Sequence, residues 1–346
     1  MLKHVILFII ICCPLPDKPA LRTNVKTPTI QHRLALRKAY GLFDLLYREG
    51  LSARVREIVR AVPELSEALP EPFDPDEAAA DHQHLFGFNV FPYASVFLDP
   101  DGLLGGPVAE AVGLHFRTAG FDIDLNQEGA DHVGHTLAFL GFLAAAEADA
   151  WEDNRPDEAA RMQAHARRFI DAHLLPWLPA FVEALQRQQV PFYPHLAGLT
   201  EALVLDHRAL LGSTVEAVHA LAPPPALLDD EKTGLKDIAA YLATPPWSGF
   251  FLSRDDIGRL GRAENLPRGF GDRRLMLGNL LRAAAEYDRI EPLLAHLLSL
   301  TEAARAHYHA LATSDLPIAK TVAAMWLERL DTTQQLIARI REGVEG

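Results

Sequence analysis

Cysteine is nearly absent: the 346-residue chain holds only Cys12 and Cys13, side by side. An adjacent pair cannot staple distant segments, and without cysteine clusters the Cys-rich zinc and iron–sulfur sites are excluded. Alternating Val/Ile/Thr runs are few, while Leu and Ala dominate and Gly serves mostly as punctuation. Such a composition favours helix over strand. Long apolar runs are missing as well. The run from Val5 to Cys13 is nine residues, far short of the roughly 20 that span a bilayer. It resembles a signal-peptide core, yet no small-x-small cleavage site follows, and neither cysteine is preceded by the small residue of a lipoprotein attachment site. The expected reading is a start codon placed too far upstream, with residues 1–30 a poorly defined leader and no stable membrane insertion; a real N-terminal anchor is the alternative. The chain also lacks a G-x-x-x-x-G-K-[ST] loop, a G-x-G-x-x-G turn and a G-x-S-x-G elbow, so nucleotide and serine-hydrolase chemistry lack their usual motifs.

Basic residues are scarce in one region rather than everywhere. Residues 1–30 carry 4 Lys/Arg and 1 Asp/Glu, residues 31–222 carry 14 and 28, and residues 223–346 carry 15 and 17. The net charge of −13 therefore belongs to the middle of the chain. Within residues 61–154, 18 acidic side chains face a single base, Arg117. Such a field repels nucleic acid and anionic lipid and attracts cationic partners, although a solvated acidic surface serving solubility carries the same signature.

What is present is helical periodicity. Leu36, Ala39, Tyr40, Phe43, Leu46 and Tyr47 give helical spacing from His32 to Arg48, stopped by Gly50. Shorter helices are expected over Ser52–Val62 and Glu77–Phe86, separated by an acidic, proline-rich connection. Gly87 to Gly106 reads as irregular, and Pro107 opens a helix that ends at Gly120. Further helices are expected from Asp131, over Pro156–His173, over Pro176–Gln188 and over Phe192–Leu221. The run Ala222-Pro223-Pro224-Pro225-Ala226 reads as a stiff spacer. Beyond it, Ser253 with Asp256 opens a helix to about Ala263, and Asp272 caps the helix carrying Leu275, Met276, Leu280 and Leu281. Helices near Pro292–Ala312 and Leu316–Arg341 end the chain. The expected fold is all-α: a compact helical bundle over 31–221, a linker over 222–232, and a second, smaller helical module over 233–346.

The segment from Glu128 to Leu143, EGADHVGHTLAFLGFL, is the most informative. Asp131 has the chemistry to cap a helix start, and Glu128 adds charge near the same positive helix end. Val133, Leu137, Leu140 and Ala144 then share one face, with His132, Thr136, Phe139 and Leu143 on the adjoining one. A helix apolar on both flanks is a buried helix. His132 falls in its first turn, where the simplest reading is a satisfied interfacial histidine.

A Glu-x-x-Asp-His entry into an apolar helix resembles the signature of the TorD/DmsD/NarJ family of redox-enzyme maturation chaperones. Two further segments carry the resemblance in the right order. Phe91-Pro92-Tyr93-Ala94-Ser95-Val96-Phe97-Leu98 is similar to the family's Ser-Val-Tyr/Phe-Leu stretch, with Phe97 in place of the commoner Tyr. Asp171 to Phe181, which contains His173, Trp177 and Pro179, is similar to its His-Leu-x-x-Trp-x-Pro-x-Phe segment. The departures are Gly129, where Pro is frequent, and Thr136 and Ala138, where acidic side chains are common. The resemblance covers roughly residues 32–221.

The resemblance implies a cytoplasmic, non-catalytic chaperone of the TorD helical type, without cofactor or metal. Its partner would be an immature molybdopterin-containing oxidoreductase subunit, held often through its twin-arginine leader peptide until cofactor insertion. No nucleic acid is expected, and the protein would be a monomer or a dimer. A twin-arginine peptide needs carboxylates for two guanidinium forks and an apolar wall for the run that follows. The candidate client-binding residues are Tyr93, Ser95, Phe97, Glu128, Asp131, His132, Phe139, His173 and Trp177. Two other classes remain open. A helical metalloenzyme would draw on Asp81, His82, His84, Asp131, His132 and His135, or on Glu216 and His219, though the second Glu-x-x-His of a di-iron bundle is absent. A structural adaptor would share the fold and bind no leader.

Overall fold

The computed structural model describes residues 26–123, 129–215, 218–227, 233–267 and 269–345. The N-terminal apolar run, Glu128 and Glu216 lie outside them. Every regular element among the described residues is helical, and the one strand-like feature is an isolated antiparallel bridge between Tyr93 and His132.

Helix α1 (Lys26–Arg48) buries its Leu36, Tyr40, Phe43 and Tyr47 face. Helix α2 (Ala53–Arg60) follows, with the Ser52 side chain accepting from Val55 N at 3.3 Å. Helix α3 (Pro75–His84) is capped by Asp74 and runs into a π-turn over Leu85–Asn89. The stretch expected to be irregular thus holds regular structure, including the short helix α4 (Ala94–Leu98). No periodicity announces it, because all five of its residues are buried. Helix α5 (Gly106–Thr118) is followed by α6 (Val133–Glu152), the central rod, which packs along α1 on one side and α7 (Pro156–Phe169) on the other. Helices α8 (Leu178–Gln186) and α9 (Phe192–Leu210) close the bundle. Tyr40 and Tyr47 of α1 tie α9 to it by hydrogen bonds to His207 Nδ1 at 2.9 Å and Thr200 Oγ1 at 3.0 Å.

Helix α9 stops about a turn after His207 instead of running to Leu221. Gly212 adopts φ +88°, a left-handed value that suits glycine, and turns the chain away. Arg208 fixes the turn: its guanidinium donates to the carbonyls of Gly212 at 2.5 Å and Thr214 at 2.7 Å while pairing with Asp171 at 2.6 and 3.0 Å. Arg208 and Asp171 are both fully buried, so neither has water to replace its partner.

The remaining helices of eight or more residues are α10 (Leu235–Leu242), α11 (Arg254–Ala263), α12 (Arg273–Glu286), α13 (Ile290–Ala312) and α14 (Pro317–Glu345). Ser253 and Asp256 form a reciprocal capping box on α11, and Asp272 accepts from Leu275 N on α12 at 2.8 Å. Helices α13 and α14 form a hairpin. Its buried Trp326 stacks on Tyr308 and donates from Nε1 to the Pro176 carbonyl at 2.8 Å. The apolar core is continuous from α1 to α14. Arg187, at the end of α8, meets Glu183 Oε1 at 2.6 Å and Asp256 Oδ2 at 2.8 Å, and also donates to the Phe251 carbonyl. Arg329 of α14 reaches back to the Leu221 and Ala222 carbonyls at 3.3 Å, beside the proline run.

Candidate functional site

The central helix begins at Val133, two residues later than the sequence suggests, because Asp131 is engaged elsewhere. Its Oδ2 accepts from Ser95 N at 2.8 Å and its carbonyl accepts from Ala94 N at 3.1 Å. Asp131 therefore caps α4, thirty-six positions upstream, rather than its own helix. His132 takes the cap of α6: its Nδ1 accepts from Gly134 N at 3.0 Å. Val133 N donates to the Pro92 carbonyl at 2.8 Å and completes a latch between two of the three motif segments.

The latch is dry. Asp131 is fully buried and burial pushes its carboxyl upward, offset by the Ser95 contacts. Burial pushes His132 down to about 3, helped by the neighbouring His135 and Arg48, so its imidazole is neutral near pH 7. The Tyr93 ring meets His132 edge-on at 5.0 Å, and His135 Nδ1 hydrogen-bonds the Gly129 carbonyl at 2.9 Å. The end of α1 abuts this corner. Arg48 donates to both carboxylate oxygens of Asp44, at 2.5 and 2.9 Å. A Cβ on Gly134 would fall 2.7 Å from Arg48 Cγ and 2.9 Å from Asp44 Oδ1, so the approach requires glycine at that position. Asp44, Arg48 and Gly134 were not singled out from sequence. The only available signal was the Asp-x-x-x-Arg spacing at the end of the first helix.

The other candidates fall into two further neighbourhoods. Phe97 and Trp177 stand 5.7 Å apart, with Phe181 at 5.8 Å from Phe97, and Trp177 Nε1 donates to the His173 carbonyl at 2.8 Å. Phe251, from beyond the proline run, stacks on Phe97 at 5.0 Å and covers that wall. Phe139 points the opposite way, against Phe169 at 4.7 Å and Phe116 at 4.8 Å. The His173 ring lies near that second cluster, 5.3 Å from His115, and burial draws it down to about 4. The structure thus gathers Tyr93, Ser95, Asp131 and His132, sets Phe97 and Trp177 beside one another, and separates Phe139 from both. Ser95, Phe97, Asp131, Phe139 and Trp177 are interior, while Tyr93 and His173 are half-buried.

Several residues of the metal alternative are engaged in other bonds. His82 Nε2 meets the Tyr47 carbonyl at 3.0 Å, and His84 Nε2 meets Asp255 at 2.8 Å. Among the described residues, no group of three or more His, Cys, Asp or Glu side chains is placed to hold a metal ion. Nor is any described helix long and apolar enough to cross a membrane.

An all-helical bundle whose central helix is latched to an upstream Ser-Val-Phe-Leu turn defines a class of binding scaffold, and comparison with known proteins gives the family. Residues 49–183 match a family model described as nitrate reductase delta subunit. The chaperone protein TorD of Vibrio cholerae serotype O1 is 30% identical over 185 residues, covering 52% of this chain and 80% of that protein. TorD of Vibrio vulnificus is 34% identical over 143 residues, 39% of this chain and 65% of the relative, just under two thirds of its length. A chlorate reductase assembly chaperone of Ideonella dechloratans is 38% identical over 95 residues, 27% of this chain and 48% of that protein. The chain belongs to the TorD/NarJ family of redox-enzyme assembly chaperones. All three motif segments lie within the matched residues, whereas α9 to α14 lie beyond the family model.

Proposed function

We propose that this protein is a non-catalytic, cytoplasmic chaperone that binds an immature molybdenum-containing reductase subunit and holds it for cofactor insertion and assembly. Relatives named for chlorate and selenate reductase assembly support the client class. The observation that carries the reading is the latch: the family's motif segments meet through Asp131 and His132 in a corner with no metal cluster among its described residues. Because Asp131, Phe97 and Trp177 are interior, they act by shaping the fold, Asp131 in the corner and Phe97 with Trp177 in the aromatic wall beside it. Client side chains meet the half-buried Tyr93 and Arg48 at the corner's edge, with the buried Asp44 and His135 behind them. A leader peptide bearing two arginines suits the acidic stretch over residues 61–154, where carboxylates are abundant and one base is present.

The test is affinity capture of a molybdenum-containing reductase subunit co-expressed with this chain, with and without its leader. Recovery of the leader-bearing precursor, reduced by Tyr93→Ala, is the expected outcome. Equal recovery of precursor and cofactor-loaded mature subunit would contradict it.

A further inference from the structure

A second recognition site stands where the last third of the chain meets the Phe91–Leu104 region. A cleft of about 460 Å³ opens there, walled by Phe91, Val96, Leu103 and Leu104 on one side and rimmed by Arg254, Arg273 and Arg274 on the other. Leu103 and Leu104 are 68% and 57% exposed, unusual for adjacent leucines that face a cleft.

The three arginines are notable for what they bond. Arg273 donates to the Leu252 carbonyl at 3.1 Å and lies 4.1 Å over the Phe251 ring. Arg274 donates to the carbonyls of Pro100 at 2.8 Å and Asp101 at 3.3 Å, and to the Thr244 hydroxyl. Arg254 has no hydrogen bond or ion pair among the described residues. None of the three forms an ion pair with a described carboxylate, in a chain with 46 acidic residues against 33 basic ones. Arg187, Arg208 and Arg341 each hold such a partner. Asp101 and Asp272 also line the cleft, but Asp272 is committed to capping Leu275 N. Burial first, then Arg274 and Arg254, push Arg273 down to about 10, against the opposing pull of Asp272 and Asp256.

We propose that this cleft binds a small phosphate-bearing ligand, its oxyanion held by Arg254, Arg273 and Arg274 and its remaining body resting on Phe91, Leu103 and Leu104. A planar carboxylate is satisfied by a single guanidinium fork, whereas three forks around one cavity match the several oxygens of a phosphate or diphosphate. The cavity exceeds what a lone phosphate fills, so the apolar wall is left for the rest of the molecule. This site is independent of the client-binding reading, since it draws its charge from residues beyond the family match.

Calorimetric titration of the full chain with inorganic pyrophosphate and, separately, with adenosine diphosphate tests the proposal. Both should bind and weaken with added salt, and the nucleotide should bind more tightly because its body reaches the apolar wall. Arg254→Gln should weaken both about tenfold, the loss of one charge-assisted bond, without moving the thermal midpoint of the ligand-free protein. Arg274→Gln should weaken both in the same direction. Absence of binding by either probe, or equal affinity of parent and Arg254→Gln, would overturn the assignment.

Discussion

The stretch over residues 61–154 and the helices after the proline run treat charge in opposite ways. The former has 18 acidic side chains to one base, and the one carboxylate it buries in the latch, Asp131, takes a backbone N–H on Oδ2 rather than a cation. The latter is nearly balanced overall, yet three of its arginines gather at one cleft with neutral partners only. Net charge per region is therefore a poor guide to where an ion is received; what counts is whether the group is already spent on the fold. The bundle before the proline run and the helices after it also share a boundary of buried charge and aromatic stacking, at Arg187 with Asp256 and at Phe97 with Phe251.

Breaking that boundary is expected to have the largest effect. Arg187→Ala leaves Glu183 buried without its cation and Asp256 with Arg259 alone, and should cost about 3–5 kcal/mol. Denaturant unfolding followed by probes in each region would measure it. A single shifted transition is expected, because the apolar core is continuous; two separated transitions would show that the regions fold independently.

Acidification sharpens the comparison from the chaperone side. Burial holds His132 at about 3 and His173 at about 4, below the ordinary 6.5, so the unfolded chain takes up their protons first. Stability from these imidazoles is complete above the ordinary histidine range and is lost as pH falls from about 6.5 toward those lowered values. The thermal midpoint should drop between pH 7 and pH 5, and His132→Asn should flatten that slope. A midpoint that rises on acidification would contradict the buried, neutral imidazole.

The smallest of these effects belongs to the latch. Asp131→Ala removes the cap of α4 and should cost about 1–2 kcal/mol, whereas Asp131→Asn, which still presents an acceptor to Ser95 N, should cost less. Chemical denaturation of the two variants would separate capping from charge. Equal losses would assign the role to the negative charge instead.

Much of this architecture was legible in the sequence, for identifiable reasons. Long amphipathic helices such as α1 and α13 announce themselves by period, and the Ser253 and Asp272 caps by residue type. The three motif segments carried the family. Helix α4 was not legible, because its five buried residues lack a polar face and its capping carboxylate comes from Asp131, thirty-six positions away. The end of α9 was hidden for a similar reason, depending on a buried Arg208–Asp171 pair that no local pattern records. Among the candidate residues, the structure brings Tyr93, Ser95, Asp131 and His132 together but sets Phe97 beside Trp177 and places Phe139 elsewhere, a grouping and an inward orientation that follow from tertiary packing alone.

The central claim is that the corner around Tyr93 and His132 receives a cationic, apolar leader. Titration of the full chain with a synthetic peptide carrying two consecutive arginines followed by an apolar run tests it most directly. Saturable binding, weakened about tenfold or more by Tyr93→Ala, is the predicted result; no binding, or binding indifferent to Tyr93→Ala, would contradict it.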